Sequence, residues 1–450
     1  MLGATIGIAL PTILFFLRWP QHGFALLMAL LPFTVALNPL PGFDLQLMRL
    51  LVPLFWLAVF ARYPKQFLAA AKKPQALLLW LFCVLVAVSV FFAQEPAWSA
   101  RKLIYIWSFA PLLPAAAIIL HGTATGALRT TGREHTPHIP MGLFVGGVLA
   151  SLVGIAQFIS QFFIGTDALF RFFVRLAPHL HGREFGALVA QYPSWFADIG
   201  GQAYLRAFAF FPDPHILAFY LVAVSSLLLA FLLRARTKKE FYLCATGYAL
   251  HIACLALTFS RGGYLGWLAG TAAILGMLRV RLSRRAAALI ALGLGIAIFL
   301  LAAGAPVINR LASSFDVSEG SNTGRLAIWR DAVETFTINP LGIGLGNYAI
   351  SMENGIGFRN PITAHNLYLD LLVEAGVLGL AAFAALMAYA AHALLQRYRE
   401  NGNAVFLGAC GALIGFSVHA FFENPLYAPA IFALLLCGTA LSLRNPASRS

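Results

Sequence analysis

Residues 366–395 read NLYLDLLVEAGVLGLAAFAALMAYAAHALL, an almost continuously apolar run. A hydrocarbon core about 30 Å thick is crossed by roughly 20 apolar residues of helix, so this run predicts a membrane span. Similar runs recur through most of the 450 residues, of which 60% are hydrophobic and only 11% charged. The runs are too long and too uniformly apolar for the alternating strands of a barrel. We therefore expect an all-α polytopic membrane protein.

The apolar runs predict twelve or thirteen spans in a single integral membrane domain over residues 1–450. They lie at 2–17, 23–38, 46–61, 76–93, 103–120, 141–163, 215–233, 241–259, 263–278, 286–304, 366–395, 404–421 and 426–443. The short basic loops follow every second predicted span, so they all lie on one face of the membrane. By the positive-inside rule that face is cytoplasmic. The formal charge of +14 is thus mainly a topology signal. Nucleic-acid binding is not expected, because it requires a continuous basic surface.

The cysteines all lie inside predicted spans, and their spacing does not resemble that of metal ligands. We interpret them as packing residues, neither disulfide-bonded nor metal-binding. They are Cys83, Cys244, Cys254, Cys410 and Cys437.

Two long segments on the opposite, outward face, 164–214 and 305–364, interrupt an otherwise membrane-embedded chain, so they mark the expected working surface. In the first, arginines such as Arg171 alternate with aromatic residues such as Phe172 and Trp195, a pattern typical of an amphipathic stretch at lipid headgroups. Arg206 differs, because it precedes a proline-rich break that leads directly into the next span. We expect its charge to face the mouth of the helix bundle.

A second arginine lies in an otherwise apolar region. Between 241 and 278 the polar interruption is Ser260-Arg261-Gly262-Gly263, which predicts a tight turn with Arg261 at the outer boundary. A charge at the rim of the bilayer is a functional hypothesis by default, although an arginine that only anchors the turn is the alternative. The two glycines would let a ligand headgroup approach the backbone.

The second outward segment contains an amphipathic pattern over 323–336. Leu326, Trp329, Val333 and Phe336 follow 3, 4, 3 spacing, which predicts a helix with that face buried over the bundle and with Arg325 near its start. Asn339-Pro340 ends the helix, and a glycine-rich run follows at 342–346. Without a preceding strand, this run predicts a flexible or tight loop rather than a dinucleotide site, and no cofactor is assigned.

His365 closes the second outward segment. If a helix runs unbroken from it, Gly376 lies roughly 20° and Gly379 roughly 40° from His365 around the axis, and Glu374 points to the opposite face. Small residues in one stripe would let another helix or a lipid tail pack closely. A lone histidine usually has a structural role, but the position of His365 beside several arginines favours a functional one.

These residues resemble the O-antigen ligase and polymerase superfamily of bacterial membrane glycosyltransferases. The resemblance includes Arg-x-x-x-Leu at 261–265 and His-Asn-x9-Gly-x-x-Gly at His365, Asn366, Gly376 and Gly379. It extends to Gly324-Arg325 with Trp329, to the turn at 339–342 and to most of the hydropathy profile. Arg206 matches the family's arginine before the seventh span, whereas His215 stands where the family has asparagine.

The resemblance implies a GT-C-like glycosyltransferase in the bacterial inner membrane with its active site facing the periplasm. The donor would be a polysaccharide on undecaprenyl diphosphate and the acceptor a hydroxyl of lipid A-core. Arg206 and Arg261 would clamp the diphosphate as catalytic residues, because guanidinium groups bind such oxygens bidentately. Arg325, Asn366, Gly376 and Gly379 would bind substrate.

His365 would take the proton from the acceptor hydroxyl, giving inversion at the anomeric carbon. The alternative, in which His365 binds the diphosphate as a cation, stays open. The carboxylates of the outward segments are scattered, so we expect metal-independent activity.

Three other functions use the same sequence features. An O-antigen polymerase would join two lipid-linked repeats, and a protein O-oligosaccharyltransferase would glycosylate a protein. A transporter of polyprenyl-linked glycans would bind with the same arginines without chemistry, but it should show internal repeats and broken helices at the bilayer midplane. O-antigen ligase is the function we favour.

Overall fold

A computed structural model describes residues 2–37, 44–122, 138–190, 193–199, 201–278, 320–351 and 363–443. The span expected at 286–304 lies outside these residues. So do the basic clusters around Arg129 and Arg281.

The described chain is almost entirely helical, and several helices begin with proline in the first turn, where its missing N–H costs no hydrogen bond. In the first part of the chain the helices are α1 (Leu2–Arg18), α2 (Pro20–Leu30), α3 (Leu47–Arg62), α4 (Pro64–Ala71), α5 (Pro74–Ser89), α6 (Pro96–Phe109), α7 (Leu112–Leu120), α8 (His138–Ile164), α9 (Thr166–His181) and α10 (Arg183–Ala190). A short antiparallel hairpin follows, formed by β1 (Phe196–Ile199) and β2 (Gln202–Leu205). The remaining helices are α11 (Pro214–Leu233), α12 (Lys238–Leu257), α13 (Arg261–Leu278), α14 (Gly320–Ile338), α15 (Asn347–Ser351), α16 (Leu367–Asn401), α17 (Ala404–His419) and α18 (Pro429–Ala440).

Among the described residues, six helical segments are long and apolar enough to cross a membrane, or seven if α3 and α4, bent by 113°, form one span. The six are Pro74–Phe92, Pro96–Leu120, Met141–Ile164, Pro214–Leu233, Lys238–Leu257 and Leu367–Asn401. The chain is an all-α membrane protein, as the sequence predicts. The total of twelve spans stays a prediction. The five cysteines are free, as expected.

Helices α13 and α17 pack with their backbones almost in contact. A Cβ atom on Gly266 would lie 2.7 Å from the carbonyl oxygen of Gly415, and one on Gly270 would lie 2.8 Å from that of Gly411. Small residues four apart allow this close approach between helices in a membrane. The contact matters for the site because Arg261 begins α13 and α17 ends just before the loop at 420–428.

Helix α16 is broken at Gly376, so the unbroken helix expected from His365 is wrong. Gly376 has φ 71° and ψ 178°, and His365 itself precedes the helix in a left-handed conformation with φ 48°. The 340–344 loop bonds the backbone groups freed by the break: Ile343 N–H donates to Val373 O at 2.9 Å and Gly344 N–H to Glu374 O at 3.0 Å. The common stripe expected for His365, Gly376 and Gly379 therefore does not form. The glycine-rich run is a tight loop, one of the two forms expected.

The amphipathic helix of the second outward segment exists as α14, but the expected buried face is only half right. Ile328 and Ala332 are buried, with Trp329 and Phe336 partly buried beside them, whereas Leu326 and Val333 are 45% and 47% exposed. The expected face and the face that is actually buried both contain Trp329 and Phe336, so the spacing of apolar residues could not distinguish them. The face that is buried also carries Arg325, one turn before Ile328 and Trp329.

The first outward segment folds into α9, α10 and the hairpin. Trp195 and Phe173 lie in a buried cluster with Phe208, instead of facing lipid as interfacial anchors. Phe172 and Phe185 are exposed, as interfacial residues would be. This cluster packs directly under the segment that carries Arg206.

Candidate active site

The backbone on both sides of Arg206 is held by two glutamines one turn apart on α8. Gln161 Oε1 accepts a hydrogen bond from Leu205 N–H at 2.8 Å. Gln157 Oε1 accepts from Phe208 N–H at 3.0 Å and from Ala209 N–H at 2.9 Å. Because Ala209 has φ 50°, a conformation that non-glycine residues rarely adopt, the second glutamine stabilises a strained turn. Arg206 therefore projects from a rigid segment.

The guanidinium of Arg206 is itself bonded to backbone carbonyls. Its Nε donates to Thr258 O at 2.7 Å and one Nη to Ser194 O at 2.8 Å. The residue is 6% exposed. Thr258 lies in the turn between α12 and α13, so this contact places Arg206 beside the segment that carries Arg261.

A chain of polar side chains continues from Arg206 to this turn. His215 Nε2 lies 3.5 Å from the second Nη of Arg206, and His215 Nδ1 lies 2.9 Å from Ser260 Oγ. A guanidinium cannot accept a hydrogen bond, so Nε2 presents its lone pair and Nδ1–H donates to Ser260. Ser260 also lies 3.3 Å from His419 Nε2, to which its hydroxyl then donates. Because Arg206 can only donate, it determines which group donates and which accepts in each hydrogen bond from His215 to His419.

His365 forms an ion pair with Glu423 on the loop that follows α17. The His365 Nδ1 to Glu423 Oε2 distance is 3.0 Å, and the two side chains are 37% and 11% exposed. Since the carboxylate accepts from Nδ1–H, the nitrogen left with a lone pair is Nε2. An imidazole oriented by a carboxylate is the arrangement found in general bases.

The pair shifts the titration of both groups. Glu423 raises the pKa of His365 above its ordinary value, which outweighs the lowering by burial and by Arg325. Burial alone would raise the pKa of Glu423, but His365, its hydrogen bond and His215 lower it. Burial, and then the charge of Glu423, raise the pKa of Asp213, the residue that caps α11, to about 6. Glu423 is thus ionised near neutral pH beside an imidazole that is a stronger base than usual.

Arg325 connects this pair to Arg261. Burial lowers the pKa of Arg325 most, Glu423 raises it, and Arg261 lowers it as a like charge. His215 in turn interacts electrostatically with Arg206, Arg325 and Glu423, so the three arginines border one region that also contains Glu423. Such a group of cations can hold an anion with several oxygens.

Strained backbone accompanies each predicted catalytic residue. Within the described ranges, the non-glycine residues with positive φ are Ala209, Phe259 and His365. Ala209 lies three residues after Arg206, and Phe259 lies two before Arg261. Such conformations cost of order 1–3 kcal/mol and often occur at functional sites.

The other predicted site residues have backbone roles in the structure. Asn366 caps α16 by accepting from Tyr368 N–H and Leu369 N–H. Gly376 forms the helix break, where a Cβ atom would lie 2.7 Å from backbone atoms of the 340–341 turn, and Gly379 faces Ala375 of its own helix. Their binding of substrate stays a prediction.

The prediction of a lone imidazole is wrong, because Glu423, the partner of His365, also interacts electrostatically with His215 and His419. Sequence reasoning also missed Glu423 and Ser260 as site residues. Glu423 is an acidic residue between two apolar runs, 404–421 and 426–443, and a buried charge in that position could have indicated it.

Residues 246–384 match the model of a protein family described as O-antigen ligase. The matched range contains Arg261, Arg325 and His365. No curated protein matches the chain.

Proposed function

The match over residues 246–384 supports membership of this chain in the O-antigen ligase family, and on that premise we propose that it transfers a polysaccharide from undecaprenyl diphosphate to a hydroxyl of lipid A-core. The reaction would take place at the periplasmic face of the bacterial inner membrane. The observation that carries the proposal is the His365–Glu423 pair beside Arg325, whose charge in turn interacts with Arg261, together with Arg206 on the neighbouring His215 network.

The arginines would stabilise the leaving group. Departure of a lipid diphosphate develops negative charge on its oxygens, and Arg206 and Arg261 would bind those oxygens as permanent cations. A preorganised donor of this kind contributes roughly 3–4 kcal/mol to the transition state. Arg325 would add a further contact from α14, and Asn366, Gly376 and Gly379 would border the bound substrate.

His365 would act as the general base. Nε2 would take the proton of the acceptor hydroxyl as its oxygen attacks the anomeric carbon, and the bond from that carbon to the diphosphate oxygen would break on the opposite face. Inversion at that carbon follows. Glu423 supports this role, because it holds the proton on Nδ1 and stabilises the imidazolium that forms. No step requires a metal ion.

The test uses purified protein in lipid nanodiscs with an undecaprenyl-diphosphate glycan, lipid A-core and a chelator. Glycan-bearing lipid A-core is the expected product. Glycan ladders on the carrier would instead identify a polymerase, glycan on an added acceptor protein an O-oligosaccharyltransferase, and movement across the membrane without a new bond a transporter.

His365→Ala should abolish the product, since a general base contributes about 10²- to 10⁴-fold. His392→Ala is the matched control, because His392 is an exposed histidine on the same helix. Normal turnover by the His365 variant would contradict the assigned role.

A further inference from the structure

Asp370, in the first turns of α16, bonds to the two segments that carry His365 and Glu423. Its Oδ1 accepts from Ala364 N–H at 2.8 Å, and its Oδ2 accepts from Asn424 Nδ2 at 2.7 Å. Ala364 immediately precedes His365, and Asn424 immediately follows Glu423. Asp370 is 1% exposed, so both bonds are shielded from water.

We propose that Asp370 is a positioning residue, whose single carboxylate holds His365 and Glu423 at the distance their ion pair requires. The expected effect of Asp370 on the transfer rate rests on the proposed function. Its effect on the geometry of the His365–Glu423 pair does not.

The need for such a residue follows from the local backbone. His365 has φ 48°, a strained conformation that persists only when its surroundings enforce it. Glu423 lies outside any helix, between the end of α17 and the start of α18. Another bond between these segments, Leu367 N–H to Ala420 O at 2.9 Å, joins residues two positions from His365 and three positions from Glu423. Asp370 bonds to the direct neighbour of each.

The assignment of donors and acceptors is consistent throughout. Asn424 Oδ1 accepts from Leu426 N–H at 3.1 Å, so its Nδ2 is the group that faces Asp370. Each oxygen of the buried Asp370 carboxyl group thus accepts a bond from a group that donates at its position. An acidic residue near the start of a helix also interacts favourably with the helix dipole, and an experiment has to separate that simpler role from positioning.

Exchanging the side chains of residues 370 and 424 separates the positioning role from the interaction with the helix dipole. Asp370→Asn should place two amide donors face to face, and Asn424→Asp two carboxylates. Each single change should lower kcat by up to about 100-fold, since small displacements of a catalytic group cost this much, with little change in KM. The double variant Asp370→Asn/Asn424→Asp again places one donor opposite one acceptor at unchanged net charge. It should recover about 10- to 100-fold of the lost rate.

Titration of the His365 imidazole gives a second readout that needs no substrate. It can be followed by NMR of histidine-labelled protein in nanodiscs, with His365→Gln to assign the signal. The charged and titratable groups that act on this imidazole are Glu423 on the loop, Arg325 on α14 and Asp370 itself on α16. Asp370→Asn should lower the pKa of His365 toward its ordinary value of about 6.5, both because Glu423 is no longer held beside it and because Asp370 itself raises this pKa. Asn424→Ala removes the same bond without changing any charge, so its effect on this pKa reports position alone.

Asn424→Ala is a milder variant at a half-buried loop position, for use if the single exchanges do not fold. It should lower both kcat and the pKa of His365. A double variant no more active than the weaker single variant, or a His365 titration unchanged by Asn424→Ala, would overturn the positioning role. If wild-type protein transfers no glycan to any acceptor, the proposed function fails, but the titration still tests Asp370.

Discussion

The two sides of the site hold their charged groups by different means. On the arginine side, which comprises Arg206, Arg261 and the turn at 258–263, the guanidinium of Arg206 is 6% exposed and donates to two neutral carbonyl oxygens. On the histidine side, which comprises His365, Glu423 and Asp370, the imidazole is 37% exposed and pairs with a carboxylate.

The difference corresponds to the chemistry each side would perform. Carbonyl dipoles orient a guanidinium without neutralising it, so Arg206 stays a permanent cation, which also interacts with Asp213. In the proposed reaction this charge would bind a substrate anion. A carboxylate beside an imidazole raises its basicity, so the histidine side can exchange a proton. A permanent charge and a titratable group therefore lie next to each other in different surroundings.

The largest effect is expected when the arginine side keeps its charge but loses its geometry. Arg206→Lys retains the cation and removes the planar fork that bonds to Thr258 and Ser194 and that would bind the proposed anion. We expect kcat to fall about 10²- to 10³-fold, as for loss of one preorganised donor. The measurement is steady-state transfer in nanodiscs.

Arg171→Lys is the control for this substitution, because Arg171 is an exposed arginine of α9. Thermal unfolding of both variants checks that the fold is retained. A folded Arg206→Lys variant with nearly normal kcat would show that charge alone is sufficient on this side.

A smaller effect, with a defined sign, is expected on the histidine side. The pKa of His365 is raised by Glu423, and a general base works in its neutral form, so kcat should fall as the pH drops through that raised pKa. Glu423→Gln removes the charge, which lowers this pKa and moves the acid limb of the profile to lower pH. The plateau rate should drop by about 10- to 100-fold, because the imidazole becomes a weaker and less oriented base.

Which limb of the pH–rate profile moves in Glu423→Gln also tests the alternative role of His365 as a cation. If it binds the diphosphate as a cation, kcat falls as the pH rises through the pKa, and Glu423→Gln moves the alkaline limb instead. Asp213, with a pKa raised to about 6, is the neighbour that could produce a similar limb. Asp213→Asn keeps the cap of α11 and removes this titration, so the limb should persist in that variant.

The smallest effect is expected where the two sides are joined, at the contact between α13 and α17. Gly266→Ala adds a Cβ atom 2.7 Å from the carbonyl oxygen of Gly415, so the helices must separate. We expect a loss of about 1–3 kcal/mol in the free energy of unfolding, with a moderate loss of transfer activity. Thermal unfolding in detergent measures the former.

Gly276→Ala provides the comparison on the same helix, because a Cβ atom there has no heavy atom within 4 Å among the described residues. It should leave stability unchanged or raise it slightly, since alanine favours a helix more than glycine. Equal destabilisation by both changes would mean that the close contact does not join the two sides.

Several site features could be predicted from the sequence because they depend on local patterns. The turn that begins α13 at Arg261 follows from one polar interruption between apolar runs, and Arg206 follows from its place before a proline-rich break. The tight loop at 342–346 follows from its glycines. Each of these requires only neighbouring residues.

Other features could not be predicted, because they depend on contacts between distant segments. The partner of His365 is 58 residues away, and the polar link from Ser260 to His419 spans 159 residues. The break of α16 at Gly376 forms because the 340–344 loop bonds the freed backbone groups. The buried face of α14 depends on its contact with α16, not on its own spacing.

The sequence by itself determined that this chain is a helical membrane protein with arginines and a histidine between its apolar runs. Hydrophobicity and backbone hydrogen bonding act over a few residues, so a linear pattern is sufficient for that conclusion. Only the tertiary structure decided which polar groups meet. Close packing at glycines brings the α12–α13 turn to the loop after α17, where buried charges are stable only beside the partners that this packing provides.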